Sequence, residues 1–166
     1  MDVYNVDYDR VIQACEKRFG GKFAAITRLH PNIAAKSTEL AFGDTLKNGS
    51  FYPDMQELMV ASDIIITDYS SVMFDFALTG KPCFQYAADI DAYKGDRNFY
   101  FEIDKLPFVL AEDNDALEQG ILNFDSEKYA KDLNAFYTGV GMVRSGDAAQ
   151  KCAELVIDLI HNNHKR

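Results

Sequence analysis

Five residues near the middle of the chain, Asp63-Ile64-Ile65-Ile66-Thr67, constrain the fold more than any other stretch. Three isoleucines in succession leave no polar alternation, so a strand built from them has no face to give to water. Such a strand belongs in a parallel sheet with helices on both faces, and this one is expected at the centre of the fold. The patterns on either side agree. Tyr8, Val11, Ile12, Cys15 and Phe19 form one helical stripe, opened by Asp7 as N-cap and stopped by Gly20-Gly21. Lys22 to Leu29 reads as a short strand, ended at His30-Pro31 where proline forbids simple continuation. Residues 33–42 fit a short helix, and Lys47 to Pro53, with its Asn48-Gly49-Ser50, reads as turn.

Asp54 and Glu57 have capping-box spacing and open a helix through Met59 and Ala61. Beyond the isoleucine strand, a helix from Ser71 to Thr79 is closed by Gly80, and Pro82 to Ala87 forms another strand. A loop through Tyr93 to Tyr100 leads to a short strand over Pro107 to Leu110. Helices follow at Asp113 to Phe124, Ser126 to Tyr137 and Asp147 to Ile160, the last with an apolar face of Ala149, Cys152, Ala153, Val156 and Ile160. Alternating helix and strand predicts an α/β, Rossmann-like layered domain with a mostly parallel sheet. No repeat or linker divides the 166 residues, which are expected to form one domain.

Charge and cysteine usage exclude several classes. The 17 basic against 26 acidic residues give −9, which argues against a nucleic-acid binder, since phosphate contacts need a basic face. No apolar run approaches the roughly 20 residues that span a bilayer. The first ten residues, MDVYNVDYDR, are acidic where an export signal would be basic and then apolar, so a cytoplasmic location is expected. Cys15, Cys83 and Cys152 suit neither a disulfide framework nor a zinc site and are expected to be reduced packing residues. His161 and His164 stand three apart on a polar tail; no metal and no cofactor are expected.

In open α/β sheets ligands bind beyond the carboxyl ends of the strands. The first strand ends in Arg28-Leu29-His30, which places a guanidinium and an imidazole two residues apart, on one side while the strand lasts. A surface arginine and a backbone-satisfied histidine would explain the same residues. The central strand ends in Thr67-Asp68-Tyr69-Ser70-Ser71, directly before a helix. Two hydroxyls at a helix start can hold phosphate oxygens, or one of them can simply cap the helix. Asp75 lies on the face of Ser71 and can reach a ribose hydroxyl or stay solvated. Arg97, in a glycine-containing loop with Phe99 and Tyr100, can fold over an anion or sit at the surface.

Taken in order, RLHP at 28–31, DMQELMVASDIIITDYSSVMFDFALTGKPCFQY at 54–86 and DRNFYF at 96–101 resemble the CDP-glycerol glycerophosphotransferase family, which includes teichoic acid primases and polymerases. The resemblance covers roughly residues 3–160 and implies the C-terminal, nucleotide-binding half of a GT-B glycosyltransferase-like enzyme. Such enzymes transfer glycerol phosphate from CDP-glycerol to a polymer or lipid-linked acceptor and release CMP. On this resemblance His30 is the catalytic residue, stabilising charge or donating a proton at the donor pyrophosphate, with Arg28 in support. Ser70 and Ser71 hold phosphate, Thr67 and Asp68 shape their turn, Asp75 faces the ribose, and Arg97 matches the arginine of an RGFY-like motif written here as RNFY. The partners implied are CDP-glycerol or CDP, the acceptor, and an N-terminal acceptor domain. Membrane contact is implied only as peripheral, at the inner face and through the rest of the protein.

The chain departs from the family in lacking room for that N-terminal half and for a further strand before the first helix. It therefore reads as a piece of a longer enzyme, able to bind a cytidine nucleotide weakly and unable to transfer alone. Three other readings bear weighing. A phosphate-accepting receiver domain would need an acidic pair after the first strand, where Arg28 and His30 stand instead. A GT-B donor domain for a UDP- or GDP-sugar would use the same phosphate site. A non-catalytic α/β module would use the motif residues only to pack and cap.

Overall fold

The computed structural model describes residues 6–90 and 100–163, and the chain falls into two compact units, residues 1–134 and 135–166. In the first unit the order is α1 (Tyr8–Phe19), β1 (Ala25–Thr27), a 3-10 helix (Pro31–Glu39), β2 (Leu46–Asn48), α2 (Met55–Ala61), β3 (Ile65–Thr67), α3 (Val72–Ala77), β4 (Cys83–Tyr86), a 3-10 turn (Ile103–Lys105), β5 (Val109–Ala111) and α4 (Asn114–Leu122). Helix α5 (Ser126–Gly139) runs into the second unit, which also holds α6 (Ala148–Asn163). Among the described residues all strand pairs are parallel. One sheet is β1-β2, with Ala25 opposite Leu46 and Thr27 opposite Asn48; the other is β3-β4-β5, with Thr67 opposite Gln85 and Tyr86 opposite Ala111.

The isoleucine strand is not the centre. Strand β4 is the middle strand of the larger sheet and is buried at every position, whereas β3 is half-buried at the edge. One cavity of about 410 Å³ is lined by residues of both β1 and β3, and by Val11, Ile12 and Cys15 of α1. The isoleucines therefore give one flank to a cavity instead of to a neighbouring strand. The fully buried side chains include Phe76, Phe84, Leu117 and Ile121, each worth roughly 1.5–3 kcal/mol of transfer free energy.

Helix α1 starts as the sequence predicts, with the Asp7 carboxylate accepting from the Arg10 N–H at 3.1 Å, and ends at Gly20 with φ of 76°. It is fixed along α4: Asn114 Oδ1 accepts from the Asp7 N–H at 2.9 Å, and Arg10 Nε donates to Glu118 at 3.0 Å. Strand β2 is missed by the turn reading of Lys47 and Asn48. Only Leu46 in it is apolar, and what defines it is backbone pairing with β1, which leaves no side-chain periodicity to read. The first strand is three residues instead of eight, the last is shifted to Val109–Ala111, and α3 is six residues, followed by turn to Gly80.

The cysteines divide. Cys15 and Cys83 are buried, and desolvation pushes their thiols up to about 11 and about 12, but Cys152 is exposed and is not a packing residue. The apolar face expected on the last helix is present in sequence, yet its side chains are exposed, Val156 at 54% and Ile160 at 52%. Among the described residues no helix is long and apolar enough to cross a membrane.

Candidate functional site

The candidate residues stand at two strand ends that reach the same cavity. Thr27 and Arg28 line it at the end of β1, Thr67 and Val72 at the end of β3 and the start of α3, whereas His30, Ser70, Ser71 and Asp75 lie outside its lining. At the first, β1 stops at Thr27, so strand alternation no longer sets the directions of Arg28 and His30. Arg28 turns to the protein. Its Nη1 donates to the Gly49 carbonyl at 3.1 Å and to the Tyr52 carbonyl. Carbonyls do not neutralise the guanidinium, but they fix it, and the arginine holds the turn after β2.

His30 takes the N-cap position of the 3-10 helix. Its Nδ1 accepts from the Asn32 N–H at 3.2 Å, so the neutral ring carries its proton on Nε2. The ring is exposed. It thus offers one N–H donor whose tautomer is set by the backbone, suited to an anionic oxygen.

At the second strand end Asp68 Oδ1 accepts from the Ser70 N–H at 3.0 Å, which bends the chain out of β3. Ser70 Oγ lies 3.5 Å from the Val72 N–H, a long contact, and Ser71 takes the N-cap position without a side-chain cap bond. Neither hydroxyl is committed to a strong capping role, and both residues are exposed. Asp75, one turn later on α3, is exposed on the same helical face as Ser71. Thr67 is half-buried at the end of β3. Arg97, and the RNFY motif up to Phe99, lie outside the described residues, as does His164.

Sequence reasoning missed two side-chain pairs around these ends, Tyr69 with Asp89 and Tyr52 with Glu57, reading Glu57 only as the capping-box partner of Asp54. Tyr69 donates to Asp89 Oδ1 at 2.8 Å, joining the serine turn to the segment after β4. Tyr52 donates to Glu57 Oε2 at 2.6 Å, and this bond pushes its phenol up from the ordinary value. Glu57 therefore does not complete the capping box; Asp54 alone caps α2, accepting from the Glu57 N–H at 3.0 Å. These partners are 20 and 5 residues apart, and only the second spacing could have drawn attention to a pair.

Parallel strands with helices packed against them, and an imidazole and two serine hydroxyls just beyond two of the strand ends, define an α/β, Rossmann-like layered domain. Comparison with known proteins narrows the class. The profile of the CDP-glycerol:poly(glycerophosphate) glycerophosphotransferase family matches residues 3–158, and the chain belongs to that family. It is 31% identical over 92% of its length to the teichoic acid glycerol-phosphate transferase of Staphylococcus aureus, of which it covers 39%. It is 34% identical over 90% of its length to a teichoic acid poly(glycerol phosphate) polymerase of Staphylococcus epidermidis, covering 21% of it. The fold resembles the solved wall teichoic acid polymerase TagF with a TM-score of 0.68 and 31% identity, over 93% of this chain and 39% of that one. A TagF variant soaked with CDPG gives a TM-score of 0.67 at 27% identity. The chain thus spans well under half the length of these relatives.

Proposed function

We propose that this chain is the donor-binding part of a CDP-glycerol-dependent glycerophosphotransferase. The observation that carries the reading is that the strand ends leading into RLHP and DYSS line one cavity, through Arg28 at the first and Thr67 and Val72 on either side of the second. His30, Ser70 and Ser71, outside that lining, are exposed with an Nε2 proton and two hydroxyls left for a ligand. In the parent reaction an acceptor hydroxyl attacks the phosphorus that bears glycerol. The bond to the bridging oxygen breaks, and CMP leaves with that oxygen. Negative charge grows on the departing phosphate, where an N–H donor acts best.

In this reading His30 Nε2 donates to the leaving side, and Ser70 and Ser71 donate to non-bridging oxygens. Thr67 and Asp68 shape the turn, Asp75 accepts from a ribose hydroxyl, and Arg97 adds positive charge. Arg28 contributes by holding the turn after β2. The acceptor is a teichoic-acid-like polymer or a lipid-linked primer. The remaining part of the enzyme brings it to the site and supplies contact with the inner face of the membrane. The chain alone is proposed to bind donor without turning it over.

Calorimetric titration with CDP, UDP and GDP tests the reading. Selective CDP binding, lost when Ser70→Ala is combined with Ser71→Ala, is the expected result. Preference for UDP or GDP would assign the domain to another donor class, and no nucleotide binding at all would make it a non-catalytic module.

A further inference from the structure

The serine turn between β3 and α3 needs an anchor that its own bonds do not supply. Helix α3 has six residues, and Ser71 at its N-cap position makes no side-chain cap bond, so few internal bonds fix where the helix begins. The Asp68 carboxylate accepts from the Ser70 N–H at 3.0 Å, and the Ser70 and Ser71 carbonyls accept from the Met73 and Phe74 N–H groups at 3.2 and 3.0 Å. These three bonds shape the turn, but all their partners lie within it or in the first turn of α3.

Tyr69 supplies the anchor. It is half-buried between two exposed neighbours, Asp68 and Ser70, and its ring packs against the buried cluster of Ala87, Ile90 and Ile103. Its hydroxyl donates to Asp89 Oδ1 at 2.8 Å, across 20 residues of sequence. A hydroxyl–carboxylate bond is short and directional. The acceptor is itself held: the Ala87 N–H donates to the Ala111 carbonyl at 2.8 Å, and the Ile90 N–H to the Ala87 carbonyl at 3.2 Å. Asp89 therefore lies in a turn fixed to the ends of β4 and β5. Ser70 follows Tyr69 directly in the chain and Ser71 comes next, so a shift of the tyrosine carries both hydroxyls with it. Groups that receive a ligand must be held to within about 0.5 Å of the productive geometry by a supporting shell.

We propose that Tyr69 and Asp89 are positioning residues: the bond between them sets where Ser70 and Ser71 present their hydroxyls to the phosphate oxygens of the donor. The proposal rests on the nucleotide-binding reading above and adds to it the pair that holds the serines in place.

Calorimetric titration of the full chain with CDP decides it, at a temperature at which circular dichroism shows every variant folded. Under that condition a loss of global stability alone leaves the dissociation constant unchanged. Tyr69→Phe keeps the ring and removes the hydroxyl; it weakens binding about tenfold, and Asp89→Ala does the same. The double variant is no weaker than either single one, because both remove one bond. Asp89→Asn, whose carboxamide oxygen still accepts, stays within about threefold of the parent. Hydrogen exchange gives a second readout: in Tyr69→Phe the Ser70 amide exchanges about tenfold faster while the α4 amides are unchanged. The proposal is overturned if Tyr69→Phe binds CDP like the parent, if the two losses add, if Asp89→Asn is as weak as Asp89→Ala, or if Ser70 exchange in Tyr69→Phe matches the parent. CDP binding that is abolished by the serine pair but unchanged in both single variants overturns only the positioning role. A parent chain that binds no nucleotide overturns both readings.

Discussion

Asp68 and Ser71 stand three residues apart in the same motif and do different work. The Asp68 carboxylate is spent on the Ser70 N–H at 3.0 Å, whereas the Ser71 hydroxyl makes no cap bond. Removing the first leaves a backbone donor to find water, and removing the second leaves nothing unpaired. Asp68→Ala is therefore expected to lower unfolding free energy by roughly 1 kcal/mol, and Ser71→Ala by no more than a few tenths. Denaturant titration separates them, and a Ser71→Ala loss as large as that of Asp68→Ala would show that the hydroxyl is structural after all. The shaping role of Asp68 was implied by the family resemblance, and its bond to the Ser70 N–H is a local geometry, whereas the residues alone left the serines open between capping and phosphate binding. The fate of Arg28 was not legible in the sequence. Its partners, Gly49 and Tyr52, are 21 and 24 residues away, and are backbone carbonyls that carry no residue signature.

At the scale of elements, what the sequence announces is helix starts. Asp7, Asp54 and Asp113 each accept from the N–H three residues on, at 3.1, 3.0 and 2.7 Å. Helix α2 is the most dependent on its cap, because seven residues offer few internal bonds and only Met59 among them is buried. Asp54→Ala should cost about 1 kcal/mol, while Glu57→Gln, whose side chain does not reach back to the cap, should leave α2 intact. Hydrogen exchange at the α2 amides checks this, and equal deprotection in the two variants would restore the full capping box. Strands were harder to read for a physical reason. Each is only three or four residues, so β2 with a single apolar position and β5 with its shifted register give side-chain patterns too short to fix a boundary. The parallel α/β class nevertheless follows from the alternation of helix and strand, because that order does not depend on where each segment ends.

Across the first unit, cohesion passes through one ring. Phe124 is 4% exposed, and its centroid lies 5.9 Å from that of Phe19 in α1, 5.4 Å from Phe84 in β4 and 5.2 Å from Tyr129 in α5. Its carbonyl accepts from Arg18 Nε at 2.9 Å, which draws the end of α1 to the same point. Three elements distant in sequence therefore share a single contact, and the sequence, which shows Phe124 only as the end of a helix, gives no sign of it. Truncation removes all three ring contacts together and leaves a cavity that α1 and α5 cannot both fill. Phe124→Ala is expected to cost about 3–5 kcal/mol, a large fraction of the 5–15 kcal/mol typical of a domain. Phe51→Ala, at a ring 69% exposed, should stay within about 0.5 kcal/mol. Urea unfolding followed by far-ultraviolet circular dichroism gives both values, with the slope unchanged if the transition remains two-state. A loss below about 1 kcal/mol at Phe124 would mean that α1 is held to the sheet by its contacts with α4 alone, through Asn114 and Glu118.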